Sequence, residues 1–134
     1  MILGIGNDLV NMERIYRSIT RFGDRMICRI YTPNECAYAR SRPDPVKAFA
    51  SRFAAKEALV KALGTGIVSE GVSWQDIEIQ KNSSGKPTIA LQGRALEHFE
   101  ALVPEGMRGR IDLSLSDEAP FAQAFVILSA EFNP

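Results

Sequence analysis

The sequence has few of the residues that would mark a disulfide-bonded or membrane-spanning protein. Only two cysteines, Cys28 and Cys36, occur among the 134 residues. Both lie in helical patterns, so we expect free thiols rather than a bridge. No run of about 18 apolar residues exists, so no transmembrane helix is predicted. The N-terminus lacks the charged region and the small-residue cleavage site of a signal peptide, and we therefore expect a cytosolic protein.

Histidine is also scarce, and the net charge is zero. The single histidine, His98, lies far from both cysteines in sequence, so a cysteine and histidine catalytic pair is not expected. Basic and acidic residues number 16 each. This balance argues against a general nucleic-acid binder, which usually has a basic pI and a basic stripe. The charges are nevertheless uneven, because residues 1–60 hold ten basic and six acidic side chains and residues 61–134 hold six and ten.

The pattern of the first half predicts one strand followed by helices. One domain is expected over residues 1–134, because this length and a hydrophobic content of 46% suit a single core. Local start and stop signals place the helices. The predicted elements are a strand at Ile2–Val10, a helix from Asn11 to Gly23, a short helix opened by a capping box at Thr32, and a long helix from Asp44–Pro45 to Gly64 or Gly66.

The second half is rich in strands. Its predicted elements are strands at Trp74–Gln80 and Thr88–Leu91, a helix at Arg94–Leu102, and strands at Ile111–Ser116 and Phe121–Ser129 joined by a loop at Asp117–Pro120. Strands that follow a helical middle predict an α+β domain, with an antiparallel sheet packed on the long helix. That helix carries alanine at positions 50, 54, 58 and 62, a small-residue stripe that allows a sheet to approach closely.

A neighbouring stripe of the long helix combines apolar and charged residues. It consists of Phe49, Phe53, Glu57 and Lys61, each four residues from the next. The phenylalanines indicate that this face is covered, and a covered charge needs a partner. Glu57 and Lys61 can therefore be interpreted either as an ordinary solvated ion pair or as part of a functional site.

A second carboxylate lies in an apolar setting at the start of the chain. Asp8 falls within the β-type run Ile2–Val10, although aspartate is disfavoured in strands. Another group should compensate this charge. Two carboxylates distant in sequence, a lysine one turn from one of them, and glycines near both predict a site for a hard cation and phosphate.

At these residues the chain resembles the holo-acyl-carrier-protein synthase family, the small 4′-phosphopantetheinyl transferases. The resemblance covers nearly the whole length and rests on four motifs, at Gly4–Asp8, Arg52–Gly66, Gly85–Pro87 and Asp112–Asp117. The long second motif is the specific one, because short glycine-containing motifs occur in many turns. The resemblance implies the fold of this family, an antiparallel sheet packed on a long central helix.

The resemblance also implies a reaction. Members of the family transfer 4′-phosphopantetheine from coenzyme A to a serine of an acyl carrier protein and release adenosine 3′,5′-bisphosphate. Such a transfer needs charge neutralisation and positioning more than a covalent protein nucleophile. By resemblance, Asp8 and Glu57 bind Mg²⁺, and Lys61 stabilises charge on the leaving group. Glu57 is also expected to accept the serine proton, directly or through a water molecule.

The phosphates of coenzyme A are expected to contact glycine-flanked turns and nearby cations. The predicted contacts are Arg52, Lys56, Lys61, Gly64, Thr65, Gly66, Lys86, Pro87 and Ser114. A solvated helix face is the alternative for Arg52 and Lys56, and plain turns are the alternative for the glycine segments. The last motif departs from the family at Asp112 and Asp117, where histidine is often found, so it supplies no histidine base.

A row of arginines predicts a partner surface. It consists of Arg14, Arg17, Arg21 and Arg25, and the row continues to Arg29. Such a row is ordinarily a solvated face, but acyl carrier proteins are strongly acidic, and complementary charge steers association. We therefore expect a carrier protein to dock there. The sequence does not distinguish a carrier of fatty-acid synthesis from one of polyketide synthesis.

The family forms homotrimers, so the resemblance implies three active sites at subunit boundaries. The apolar character of Phe121–Leu128 on both faces agrees with a strand that is covered on two sides. Two other functions stay open at this point. One is a metal-dependent nuclease or nucleotide hydrolase that uses Asp8, Glu57 and a lysine. The other is a non-enzymatic trimeric scaffold in which Glu57 and Lys61 form only an interface pair.

Overall fold

The computed structural model describes residues 1–65 and 71–134. Within these residues the chain forms five α-helices and five β-strands. In chain order they are β1 (Ile2–Asn11), α1 (Met12–Phe22), α2 (Asp24–Ile30), α3 (Pro33–Arg40), α4 (Pro45–Leu63), β2 (Ile77–Lys81), β3 (Pro87–Leu91), α5 (Gly93–Leu102), β4 (Met107–Glu118) and β5 (Phe121–Phe132). No helix in the described ranges is long and apolar enough to cross a membrane.

The strands form two antiparallel sheets. The larger sheet has the strand order β1, β5, β4, and β2 pairs with β3. Helix α4 packs across β1 and β5. The inward side of β5 is apolar and buried, and it consists of Ala122, Ala124, Val126, Leu128 and Ala130. The predicted α+β fold, with an antiparallel sheet packed on a long central helix, is confirmed.

Small residues bring β1 and α4 into close contact. The alanines of α4 at positions 50, 54, 58 and 62 are all buried. Gly4 and Gly6 of β1 lie against the carbonyl groups of Ala62 and Ala58, so near that a Cβ on either glycine would overlap the carbonyl oxygen. This packing places Asp8, two residues beyond Gly6, beside the C-terminal half of α4.

The predicted helix termini are confirmed by their capping contacts. The side chain of Asn11 accepts a hydrogen bond from the Glu13 amide at the start of α1. Thr32 and Glu35 form a capping box at α3. At α4 the side chain of Asp44 accepts from the Lys47 amide, and a left-handed Gly64 ends the helix.

The structure differs from the sequence predictions in the arginine segment and the strands. Helix α1 ends before Gly23 as predicted, but the unpredicted helix α2 follows it, so the arginines lie on two helices. Trp74–Asp76 is a 3₁₀ turn instead of the beginning of a strand. The β4 and β5 strands pair from Met107 with Phe132 to Glu118 with Phe121, so both are longer than predicted and only two residues join them. Backbone pairing between these strands extends them into polar sequence.

Candidate active site

The charged end of the α4 stripe faces Asp8 of β1. Lys61 Nζ lies 3.1 Å from Asp8 Oδ1 and donates another hydrogen bond, of 3.0 Å, to the backbone oxygen of Asn7. The Asp8 side chain is largely covered, at 16% exposure, whereas Lys61 is exposed. The structure thus brings Asp8 of the first motif together with Glu57 and Lys61 of the second.

Glu57 is half-buried in this group, and its surroundings act on its charge. Burial raises the pKa of Glu57, the carboxylate of Asp8 raises it further, and Lys61 and Arg14 lower it. Asp8 therefore lies close enough to Glu57 to disfavour the negative charge of Glu57, which a cation between them would relieve.

The donor set at this position suits magnesium. Mg²⁺ is usually held by one or two carboxylates, while waters and substrate phosphate oxygens complete its coordination. Asp8 and Glu57 would supply two such oxygen ligands. Among the residues that the structure describes, no group of three or more His, Cys, Asp or Glu could hold a metal. An ion held by Asp8 and Glu57 would keep coordination positions for waters and for phosphate oxygens.

The other end of the stripe is aromatic. The Phe53 ring stacks on Trp74, with centroids 5.4 Å apart and an interplanar angle of 26°. The guanidinium carbon of Arg14 lies 5.9 Å from the Phe53 centroid. The first arginine of α1 therefore adjoins the face of α4 that carries Glu57.

A cavity of about 800 Å³ opens on another side of α4. It brings together four residues that the sequence predicted for coenzyme A, namely Arg52, Lys86, Pro87 and Ser114. Its cationic lining consists of Arg42, Lys47, Arg52, Lys81 and Lys86, against Asp44 and Asp117. Asp8, Glu57 and Lys61 lie outside the described lining. Arg52 and Glu57 are five residues apart, which separates them by about 140° around the helix.

Arg52 is the most covered cation of this cavity. It is only 4% exposed, and its guanidinium carbon lies 4.1 Å from the centroid of the Tyr38 ring. Burial lowers the pKa of Arg52. Its Nε is buried and has no hydrogen-bond partner within the described part of the chain. A buried donor of this kind normally has a partner, and an anionic ligand in the cavity would supply one.

The two aspartates of the last motif are partners of lysines that line the cavity. Asp117 Oδ1 lies 3.1 Å from Lys47 Nζ, and Asp112 Oδ1 lies 3.9 Å from Lys86 Nζ. Asp112 also pairs with Arg110 at 2.9 Å. The aspartates at these two positions therefore offset part of the positive charge of the cavity wall.

Lys56 is placed in the core instead of a phosphate site. It is fully buried, lies 2.7 Å from Glu35 Oε1, and donates hydrogen bonds to the carbonyl oxygens of Ile30 and Trp74. Burial lowers the pKa of Lys56, and Glu35 opposes that shift. The alternative of a solvated face is therefore wrong. Lys56 has no exposed surface for a phosphate of coenzyme A.

Two backbone amides of the first glycine segment, those of Gly64 and Thr65, are already engaged within the chain. The amide of Gly64 donates to the carbonyl oxygens of Val60 and Lys61, and the amide of Thr65 donates to Val60. Both amides therefore cap α4. The Thr65 hydroxyl is buried and has no hydrogen-bond partner among the described residues. Gly66, also predicted as a contact, lies outside the described residues.

The predicted partner surface spans α1 and α2. Arg14, Arg17 and Arg21 lie on α1, and Arg25 and Arg29 lie on α2 beyond Gly23; all are exposed. Two large side chains of α1 are exposed beside them, since Tyr16 is 58% and Phe22 is 54% accessible. Exposed aromatic residues among cations are typical of a surface that binds a partner.

Comparison with known proteins shows which family this chain resembles in sequence. The family model of the 4′-phosphopantetheinyl transferase superfamily matches residues 4–120. The chain is 50% identical over 130 residues to the holo-[acyl-carrier-protein] synthase of Methylobacterium sp. (strain 4-46), covering 97% of this chain and 96% of that protein. It is 51% identical over 131 residues to the enzyme of the same name from Azorhizobium caulinodans, covering 98% and 96%.

Solved structures agree with the sequence comparison. The crystal structure of holo-[acyl-carrier-protein] synthase from Neisseria meningitidis superposes with a TM-score of 0.84 at 40% identity, over 96% of this chain and 99% of that one. The enzyme from Helicobacter pylori, solved in complex with coenzyme A, superposes with a TM-score of 0.78 at 32% identity, over 93% and 99%.

Proposed function

The chain belongs to the 4′-phosphopantetheinyl transferase superfamily, and we propose that it acts as a holo-acyl-carrier-protein synthase. It transfers the 4′-phosphopantetheine group of coenzyme A to a serine of apo acyl carrier protein, and adenosine 3′,5′-bisphosphate is the other product. The single observation that carries the proposal is the group formed by Asp8, Glu57 and Lys61 in a chain about half identical to synthases over its length.

We propose that Asp8 and Glu57 hold Mg²⁺. When bound, the ion would neutralise negative charge on the pyrophosphate oxygens of coenzyme A. Lys61 Nζ, beside Asp8, stabilises the charge that moves to the leaving nucleotide. Glu57, half-buried in the same group, is positioned to accept the proton of the attacking serine, directly or through a water molecule.

The cavity on the other side of α4 is the proposed site for the nucleotide end of coenzyme A. Arg52, Lys86 and the turn at Gly85–Pro87 line it, together with Ser114 of β4. The buried, unpartnered Nε of Arg52 supports an anionic ligand there. Gly64 and Thr65, at the C-terminal end of α4, remain proposed contacts of coenzyme A. Their backbone amides cap the helix, so other atoms of these residues would make the contact.

We further propose a homotrimer in which the cavity of one subunit meets the carboxylate pair of the next. Within one chain the two features lie on different sides of α4. The outer face of the large sheet supports association, because it exposes apolar side chains of β1 and β5. Leu9 is 58% exposed, Ile5 54%, Phe121 45% and Phe125 44%. So many large apolar side chains exposed on one sheet face are unusual on a monomer.

The carrier protein is proposed to dock on Arg14, Arg17, Arg21 and Arg25, because an acidic partner complements that surface. Arg14 borders the α4 stripe through Phe53, so a carrier bound there would lie beside Glu57. We propose one transferase domain over residues 1–134, working in the cytoplasm, where the free thiols Cys28 and Cys36 would stay reduced. The relatives give no support to a nuclease or to a non-enzymatic scaffold.

Mass spectrometry of an apo acyl carrier protein tests this function directly. Incubation with the chain, coenzyme A and Mg²⁺ should raise the carrier mass by one phosphopantetheine group. A carrier whose acceptor serine is replaced by alanine should stay unchanged, and a chelator should stop the reaction until Mg²⁺ is restored. An unchanged wild-type carrier would contradict the proposed function, and full transfer in chelator would contradict the metal assignment.

A further inference from the structure

An aromatic ring with three cations around it lies in the wall of the cavity, and it has no part in the proposed reaction. Tyr38 of α3 lines the cavity and is half-buried. The guanidinium carbon of Arg52 lies 4.1 Å from its ring centroid, Lys81 Nζ 5.0 Å, and the guanidinium carbon of Arg42 5.6 Å. The three cations come from three segments, namely α4, the end of β2 and the connection between α3 and α4.

Like charges gathered this closely repel each other, so the arrangement needs compensation. The face of an aromatic ring attracts cations and supplies part of it. The nearby carboxylates are occupied elsewhere. Asp117 pairs with Lys47, and Asp44 caps α4. Glu35, whose charge also acts on Arg52, is bound to Lys56 in the core. The cation cluster is therefore left with an excess of positive charge that faces the cavity.

We propose that Tyr38 is a positioning residue of the coenzyme A site, whose ring holds Arg52, Lys81 and Arg42 together as a preassembled receptor for the phosphates of the nucleotide end. This inference rests on the proposed function. Arginine and lysine side chains lose much rotamer freedom when they bind a ligand, and fixing them in advance reduces that loss. A planar guanidinium stacked on an aromatic ring also keeps its donor edge directed at one position.

The contacts of the phenol agree with this role. A hydrogen bond from Lys81 lowers the pKa of Tyr38 and outweighs the effect of burial. Tyr38 therefore interacts with both Lys81 and Arg52, the two cations closest to its ring centroid. Because Tyr38 acts through these cations, its removal should weaken binding of the nucleotide without changing the chemistry at Glu57 and Lys61.

Steady-state kinetics of three variants test the inference. Tyr38→Leu removes the ring, and we expect it to raise KM for coenzyme A about tenfold while kcat and KM for the carrier protein stay within about twofold. Tyr38→Phe keeps the ring face and should stay within about threefold of the wild-type KM. Tyr38→Met fills the half-buried space without a ring. It should behave like Tyr38→Leu and replaces that variant if leucine prevents folding.

Calorimetric titration with adenosine 3′,5′-bisphosphate gives a measurement that does not depend on turnover. Tyr38→Leu or Tyr38→Met should bind this product about tenfold more weakly than the wild type. Phe132→Leu, at an exposed aromatic residue of β5 outside the described cavity lining, is the control and should bind it as the wild type does.

The outcomes separate this inference from the proposed function. A wild-type chain that never modifies the carrier protein overturns the function, whatever the Tyr38 variants do. If the wild type is active, a folded ringless variant with wild-type KM for coenzyme A and wild-type affinity for the bisphosphate overturns the role of Tyr38. A variant in which kcat falls and KM for the carrier rises as much as KM for coenzyme A also overturns it, because such changes would indicate a general structural effect.

Discussion

Glu35 and Lys56 form an ion pair that has no solvent exposure. Both oxygens of Glu35 are used, since Oε1 accepts from Lys56 and the Thr32 amide and Oε2 accepts from the Ile79 amide. Lys56 also donates to two carbonyl groups. The pair thereby joins the start of α3, β2 and the segment at Trp74 to α4. The pair therefore fixes Lys56, the neighbour of Glu57 in the sequence, within the core.

Breaking this pair on one side should cost more stability than removing it. Lys56→Met leaves a buried carboxylate without its cation, and we expect a loss of about 3–5 kcal/mol in the free energy of unfolding. The double variant Glu35→Leu with Lys56→Met should recover much of that loss. Urea denaturation measures both, and Arg94→Ala, which breaks an exposed pair with Glu97, should cost below about 1 kcal/mol. A single variant no less stable than this control would contradict the assignment.

The carboxylates of the active site should matter for turnover and not for folding. Asp8→Asn and Glu57→Gln keep the shape of each side chain while removing its charge, so each should lower kcat by orders of magnitude and leave thermal stability nearly unchanged. Lys61→Ala should lower kcat more than it weakens carrier binding. The measurement is carrier modification over a range of Mg²⁺ concentrations. A Glu57→Gln variant with wild-type turnover would exclude both of its proposed roles.

At the scale of whole elements, local signals in the sequence predicted the helices well. Asn11, Thr32, Asp44 and Gly64 mark helix ends through contacts with residues at most four positions away, so the sequence alone contains them. The lengths of β4 and β5 depend on pairing with each other, which no local signal reports. The end of α1 at Gly23 was predicted, whereas α2 was not, since no side-chain hydrogen bond caps its first turn.

The candidate site shows the same division. The approach of Asp8 to Glu57 was predictable because each carboxylate is out of place in its own segment. The partner of Lys56 was not, because Glu35 had already been explained by its capping box and lies 21 residues away. Tyr38 was missed because its cations converge from separate segments. Spacing shows which residues share a face, whereas packing decides what that face meets.

The contact between β1 and α4 should not tolerate a side chain at Gly6. Gly6→Ala places a Cβ against the Ala58 carbonyl, and the strand must move away from the helix. We expect a loss of about 1–3 kcal/mol in the free energy of unfolding, with a further loss of activity because Asp8 moves with the strand. Gln80→Ala, at an exposed strand position, is the control and should change stability by about 0.5 kcal/mol or less. An active, fully stable Gly6→Ala enzyme would contradict this account of the contact.

The arginine surface of α1 should affect the carrier protein and not coenzyme A. Arg17→Glu with Arg21→Glu should weaken carrier binding about tenfold or more, with the difference shrinking at high salt, while KM for coenzyme A stays unchanged. Arg14 is left intact because its charge also lowers the pKa of Glu57. The control is Arg94→Glu with Arg108→Glu, which makes the same change in net charge at exposed positions of α5 and β4. Equal losses in the two double variants would mean that only net charge matters.

At the scale of the whole molecule, the large sheet presents two apolar faces with different surroundings. Along β5 the inward side chains are small and buried beneath α4, and the outward ones include Phe121, Phe125 and Ile127. On β1, Ile5 pairs with Ile127 and Leu9 with Gln123 across the ladder. A face this apolar favours association with other copies of the chain around a closed symmetry axis. The same association would bring a second subunit to the two separate parts of the proposed site.

Mixing of two inactive variants tests this arrangement. Glu57→Ala removes one part of the site, and Arg52→Ala with Lys86→Ala removes the other. If each site combines the carboxylates of one subunit with the cavity of its neighbour, random reassembly of an equal mixture should make about one site in four intact. Mixing Glu57→Ala with Asp8→Ala should restore nothing, because both changes fall in the same part. Light scattering should report a trimer for every variant used. A fully active wild-type monomer, or a mixture that stays inactive although its subunits exchange, would mean that a single chain contains its whole site.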